Sequence, residues 1–275
     1  MRCGQRFFIP QNDNEKVKII EPEKREYGSP LPGFYKALYK YSWRTIFSFQ
    51  SLPLLILIIF LATLKFYTFH ANYAYSCRGI TIFLPIGWII ALLVYGGLFY
   101  CFAEIVASTA FDVEALPEIT FNGGLGYAAI VFQSLYSFIL ALIITLIPAI
   151  IFKNIFNAIG IKSDWAILPF IALAMFLFPM VVITLSITRD FMYLIRPDFF
   201  TPIVKGFRPY LFLSSLFLIA FYLHFESPIY KDVATSSPSV IYLNLFAAIA
   251  IEIQAVITMR AAGLFYRHFS CYFKW

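Results

Sequence analysis

The chain is 275 residues long, 61% of them hydrophobic and 13% charged, with a mean hydropathy of +0.78. Soluble domains run about 45–50% apolar and about 25% charged, so this composition excludes a water-soluble globule, a disordered chain and a nucleic-acid-binding module. The net charge of +6, from 21 Lys and Arg against 15 Asp and Glu, is the excess that membrane topology produces rather than the mark of a polyanionic partner.

Residues 1–33 read as a mobile polar segment. Pro10, Pro22, Pro30 and Pro32 interrupt a mixture of acidic and basic side chains, and such a stretch has too little apolar surface to offset the entropy of ordering. Its opening, Met1-Arg2-Cys3-Gly4-Gln5-Arg6-Phe7, looks like the second half of a zinc-ribbon knuckle. A structural zinc needs four ligands, and no second cysteine or histidine lies nearby. Either the pattern is chance or the chain as given begins inside a longer protein, and no metal is assigned. Residues 34–45 change character. Lys36, Lys40 and Arg44 recur every fourth position among Phe34, Leu38 and Tyr41, with Tyr39 and Trp43 suited to the headgroup layer. The pattern predicts an amphipathic helix on the membrane surface, its basic stripe on anionic headgroups.

Residues 46–264 predict an all-α fold, a polytopic transmembrane helix bundle. A bilayer core about 30 Å thick takes about 20 apolar helical residues. Six segments approach that length: 46–67, 80–106, 125–152, 166–187, 210–225 and 239–264. The fifth is the shortest and leaves open whether it crosses fully. Near-continuous apolar runs such as 52–64 exclude an outer-membrane barrel, whose strands alternate. The polar start and long first span argue against a cleaved signal peptide. With the N-terminus inside, the cytoplasmic segments carry 16 Lys and Arg and the external ones 5, counting Lys65 outside and Arg260 in the inner tail. Both termini are therefore expected in the cytoplasm, with residues 265–275 as a short tail, and the membrane is expected to be the inner one.

The end of the second span and the loop after it hold Glu104, Asp112, Glu114 and Glu118, followed by Gly123, Gly124 and Gly126. On the same face, the loop after the fourth span carries Arg189, Arg196, Lys205 and Arg208. Carboxylates near a membrane cost less when paired. Glu104 and Asp112 are therefore expected to face Arg189 and Arg208 in a charge network joining the second and fourth spans. The alternative is two separately solvated loops. The acidic stretch ending Leu116-Pro117-Glu118, the Gly123-Gly124 pair and the long apolar helix after them resemble a pattern in uncharacterised bacterial multi-pass membrane proteins. Arg189-Asp190, Arg196-Pro197 and the apolar run from Tyr210 continue the resemblance over residues 95–225. It implies a polytopic helical membrane protein of unknown activity and carries no catalytic residues across.

Glu252 falls near the centre of the last span. A carboxylate there costs about 3 kcal/mol on insertion scales, which makes it a candidate functional residue, such as a proton or cation relay. The structural alternative is a neutral Glu252 hydrogen-bonded to Gln133, Tyr136 or Asn244. His70, His224 and Glu226 end spans on one side and read as interfacial rather than metal-binding. Cys3, Cys77, Cys101 and Cys271 are distributed across compartments and predict no disulfide. No phosphate loop, HExxH, nucleophile elbow or CxxC pair occurs, so no catalytic residue, cofactor or metal is assigned. The functional expectation is a membrane scaffold or accessory subunit working with another membrane protein. One alternative is a small transporter or channel subunit using Glu252, which requires a cavity reaching that residue, lined by Gln133, Asn244 and Gln254. The other is a membrane enzyme with Glu104, Asp112, Glu114 and Glu118 around a cytoplasm-facing cleft.

Overall fold

The computed structural model describes residues 29–69, 73–77, 80–84, 86–111, 116–117, 123–160, 166–227 and 237–273. Among them are six helices long and apolar enough to cross a membrane. They are α3 (Leu52–Thr68), α4 (Ile86–Ala110), α5 (Gly123–Ile159), α6 (Leu168–Thr188), α8 (Phe207–Phe225) and α9 (Pro238–Phe269), with the short α7 (Thr201–Lys205) leading into α8. The chain is an all-α multi-pass bundle. The fifth span gains Phe207–Pro209 at its start, which gives α8 19 residues, enough for about 28 Å at about 1.5 Å per residue.

Ahead of the spans, residues 34–46 form one winding helical stretch. It runs as α1 (Phe34–Lys36), a π-turn over Ala37–Tyr41 and α2 (Ser42–Ile46). Phe34, Leu38, Ser42, Thr45 and Ile46 are buried, while Lys36, Tyr39, Lys40, Trp43 and Arg44 are exposed. Phe34 packs edge-on against Phe265 and Phe269 of α9. The Leu31 amide donates to the carbonyl of His268 at 2.8 Å, so both described ends of the chain lie at one end of the bundle.

The first apolar run does not start as a helix at Ile46. Ser48 and Ser51 donate to the Thr45 carbonyl at 2.9 and 2.7 Å and turn the chain. Ser51 then accepts the Leu116 amide at 3.1 Å. Pro53 therefore lies in the first turn of α3, where its missing N–H costs nothing. The second span also begins later than residue 80. Tyr73–Cys77 (β1) and Ile80–Leu84 (β2) pair as an antiparallel hairpin, with Tyr73 opposite Leu84 and Cys77 opposite Ile80. Pro85 disfavours helical geometry at Leu84, and Ile-Thr-Ile-Phe suits a strand.

α4 is the hub, packing on α3, α5, α6 and α9. Two glycines allow the closest approaches. A Cβ on Gly96 would stand 2.6 Å from Val131 of α5, and one on Gly263 of α9 would stand 2.6 Å from Val106 and Thr109 of α4. α6 carries Pro179 internally, and the fully buried Tyr210 of α8 donates to the carbonyl of Phe176, one turn earlier, at 2.6 Å. Such a hydroxyl satisfies backbone disturbed by a membrane proline.

Candidate functional site: a buried ion pair beside two stacked cavities

Glu252, near the middle of α9, forms an ion pair with Lys65 of α3. Their side chains are 5% and 0% exposed. The Lys65 ammonium also lies 4.7 Å from the centre of the Tyr95 ring on α4. Tyr95 Oη shares a 3.3 Å hydrogen bond with Nε2 of His224 on α8. One side chain from each of four helices thus forms a continuous polar group inside an apolar bundle. Either charge alone would cost several kcal/mol at this depth, and the pair with its cation–π contact offsets most of that.

This arrangement corrects two expectations. The partner of Glu252 is Lys65, not Gln133, Tyr136 or Asn244. Lys65, assigned to an external loop, lies within α3 near its end, and its long stem carries the ammonium inward. Arg260 likewise belongs to no tail. It is 5% exposed within α9, and its Nη2 donates to Thr45 Oγ1 at 2.8 Å, tying the surface helix to the last span.

The charge network is present in part. Arg189 Nη2 lies 2.6 Å from Glu104 Oε1, which joins the ends of α4 and α6. Arg189 takes a left-handed conformation, with φ of +53°, as the cap that ends α6. A cation there also favours the helix C-terminus. Its side chain is 68% exposed, so solvent screens the pair. Arg208 is exposed on α8 and forms no ion pair among the described residues. Asp112, Glu114 and Glu118 lie outside the described residues, as do His70 and Cys3. No group of three or more His, Cys, Asp or Glu gathers as a metal set among the described residues. Cys101 and Cys271 are free thiols.

Among the described residues, two partly open cavities lie end to end along the bundle. The larger, about 500 Å³, lies between α4, α5, α6, α8 and α9 toward the His224 end, and its wall includes Glu252, Tyr95, His224 and Thr258. The smaller, about 330 Å³, opens at the Glu104–Arg189 end, where Gln133, Ser134 and Ser186 add polar groups. Phe99, Phe102, Phe138 and Met259 belong to both walls. Phe99 and Phe138 are stacked with ring centres 3.6 Å apart and form the partition. A cavity does reach Glu252, but not with the lining foreseen. Gln133 faces the other cavity, and Asn244 and Gln254 line neither. Aromatic faces take their place. Position along the chain alone puts Lys65 in a loop, although a lysine three residues before the end of an apolar helix is itself a signal of an inward-reaching charge. Comparison with models of protein families, with curated proteins and with solved structures finds no match to this chain.

Proposed function

We propose that this chain is a small membrane transporter in which Glu252, charge-compensated by Lys65, marks the ligand site. The observation that carries the reading is the pair of cavities placed end to end. Together they extend from the Glu104–Arg189 end to the His224 end, with one aromatic partition between them. A scaffold or accessory subunit needs no internal space, so the cavities favour the transport alternative. Ligand sites of membrane carriers form where helices of a bundle meet near mid-depth, around the few ionisable groups there.

The test is flux from proteoliposomes loaded with a panel of fluorescent amphiphiles and small polar solutes. The native chain is compared with the Lys65→Met/Glu252→Gln double variant, which removes both charges without stranding either. At least one solute is expected to leave faster through the native chain and to lose that advantage in the double variant. Equal flux for every solute overturns the reading.

The same proposal places both termini in the cytoplasm of a cell whose inner membrane holds the protein. Lys36, Lys40 and Arg44 are exposed at one end of the bundle, the side on which anionic lipid and the positive-inside bias put such residues. Moving Lys65 and Arg260 out of the loops leaves that bias in the same direction. In a chain whose own four cysteines are replaced by serine, Lys40→Cys is expected to resist impermeant maleimide in intact cells and to react once they are opened.

A further inference from the structure

We infer that the larger cavity takes an uncharged amphiphile from the bilayer, its hydrogen-bonding end against Tyr95, His224 and Glu252 and its apolar body among the phenylalanines. This rests on the transport reading and names its cargo class. Three observations converge on it.

The first is charge. Glu252 is the only Asp, Glu, Lys or Arg in the cavity wall among the described residues. Lys65, behind it, already compensates that carboxylate and is itself covered by the Tyr95 ring. A charged ligand would bring a third charge with no partner into a medium of low dielectric. An uncharged end group with a hydroxyl or carbonyl loses far less, because it can bond to the Tyr95 hydroxyl, the His224 ring or a carboxylate oxygen.

The second is the wall. Phe99, Phe138, Phe178 and Phe221 are among the apolar residues that line it, and about 500 Å³ is left between the walls, within the range of pockets that hold small organic ligands. The polar groups are few and gathered, as in sites that orient one end of an otherwise apolar molecule.

The third is access. The rim residues Trp88, Leu92, Ile139 and Phe225 are 62%, 49%, 43% and 71% exposed. They lie on exposed sides of α4, α5 and α8. A mouth edged by large apolar side chains meets acyl chains rather than water, so the ligand arrives from the membrane.

The experiment uses the full chain in nanodiscs with three diazirine probes of equal chain length: hexadecanol, hexadecylamine and hexadecyl sulfate. Cross-links are mapped by mass spectrometry, and the variants are Ala220→Trp, which fills the cavity, and Ile147→Trp, which places the same indole on the outer face of α5. The hexadecanol probe is expected to label the cavity segments of α4, α8 and α9 about tenfold more than either charged probe, the factor that about 1.4 kcal/mol of discrimination gives. Ala220→Trp removes that labelling and Ile147→Trp does not. Equal or stronger cavity labelling by a charged probe overturns the uncharged class. Labelling spread over all lipid-facing helices and indifferent to Ala220→Trp overturns the site. Helical circular dichroism and a monodisperse nanodisc peak verify folding of each variant. Because no gradient is involved, the two readings fail separately. Cavity labelling without any flux difference sinks transport alone, and flux without cavity labelling sinks this cargo assignment alone.

Discussion

Replacing Lys65 by Met strands the Glu252 carboxylate between α3, α4 and α9, and the size of the loss follows from where the pair lies. Side chains that are 0% and 5% exposed receive almost no solvent screening. Removing one partner of such a pair costs about 3–5 kcal/mol, because the survivor stays buried and uncompensated. That amounts to about two to four decades in the folded-to-unfolded ratio. Glu252→Gln is expected to cost a similar amount by stranding the ammonium. The double variant Lys65→Met/Glu252→Gln leaves no charge behind and is expected to recover to within about 1 kcal/mol of the native chain. Equilibrium unfolding in mixed micelles with increasing sodium dodecyl sulfate, followed by circular dichroism, measures all four corners of the cycle. A Lys65→Met variant within about 1 kcal/mol of native, or a double variant that costs the sum of the two singles, refutes the reasoning.

The exposed pair at the other end should behave differently. Arg189→Ala removes a partner that is 68% exposed, so a loss below about 1 kcal/mol is expected in the same unfolding assay; a loss like that of Lys65→Met would show that Arg189 is buried in the membrane-embedded protein. Gly263→Ala puts a Cβ 2.6 Å from the Val106 carbonyl and the Thr109 side chain, and forcing α9 away from α4 is expected to cost about 1–3 kcal/mol. Gly96→Ala should act alike at the α4–α5 contact, where the same distance is 2.6 Å to Val131. Full stability in both would mean that these helices do not approach as described. Phe138→Ala deletes half of the 3.6 Å stack that separates the cavities. Basal leak from proteoliposomes is expected to rise, and an unchanged leak from folded protein would show that the partition lies elsewhere.

Hydrophobic run length alone determined the class of this protein. A backbone in lipid must satisfy its own hydrogen bonds, so six apolar stretches become six helices with ends near those the run lengths indicate. The four-residue spacing of Lys36, Lys40 and Arg44 likewise determined the exposed face of the surface helix, because helical period is a local property. Local chemistry redrew the starts of the first two spans, while α5 and α9 run on to Ile159 and Phe269, past the ends at 152 and 264 that the apolar runs indicate. Hydroxyls at Ser48 and Ser51 turned the chain before α3, and strand-forming residues ahead of Pro85 delayed α4.

The pairing of charges belonged to the tertiary structure. Lys65 and Glu252 are 187 positions apart, and nothing in either helix names the other. Lys65 lies close enough to the end of α3 that its stem could carry the ammonium outward to the interface or inward to a carboxylate. The packing of α3 on α9 settled that choice, because it brings an opposite charge to the depth the stem can reach. The cavities were equally hidden. They arise where five helices fail to fill the space between them, a sum over side chains from distant segments that no period within one helix encodes.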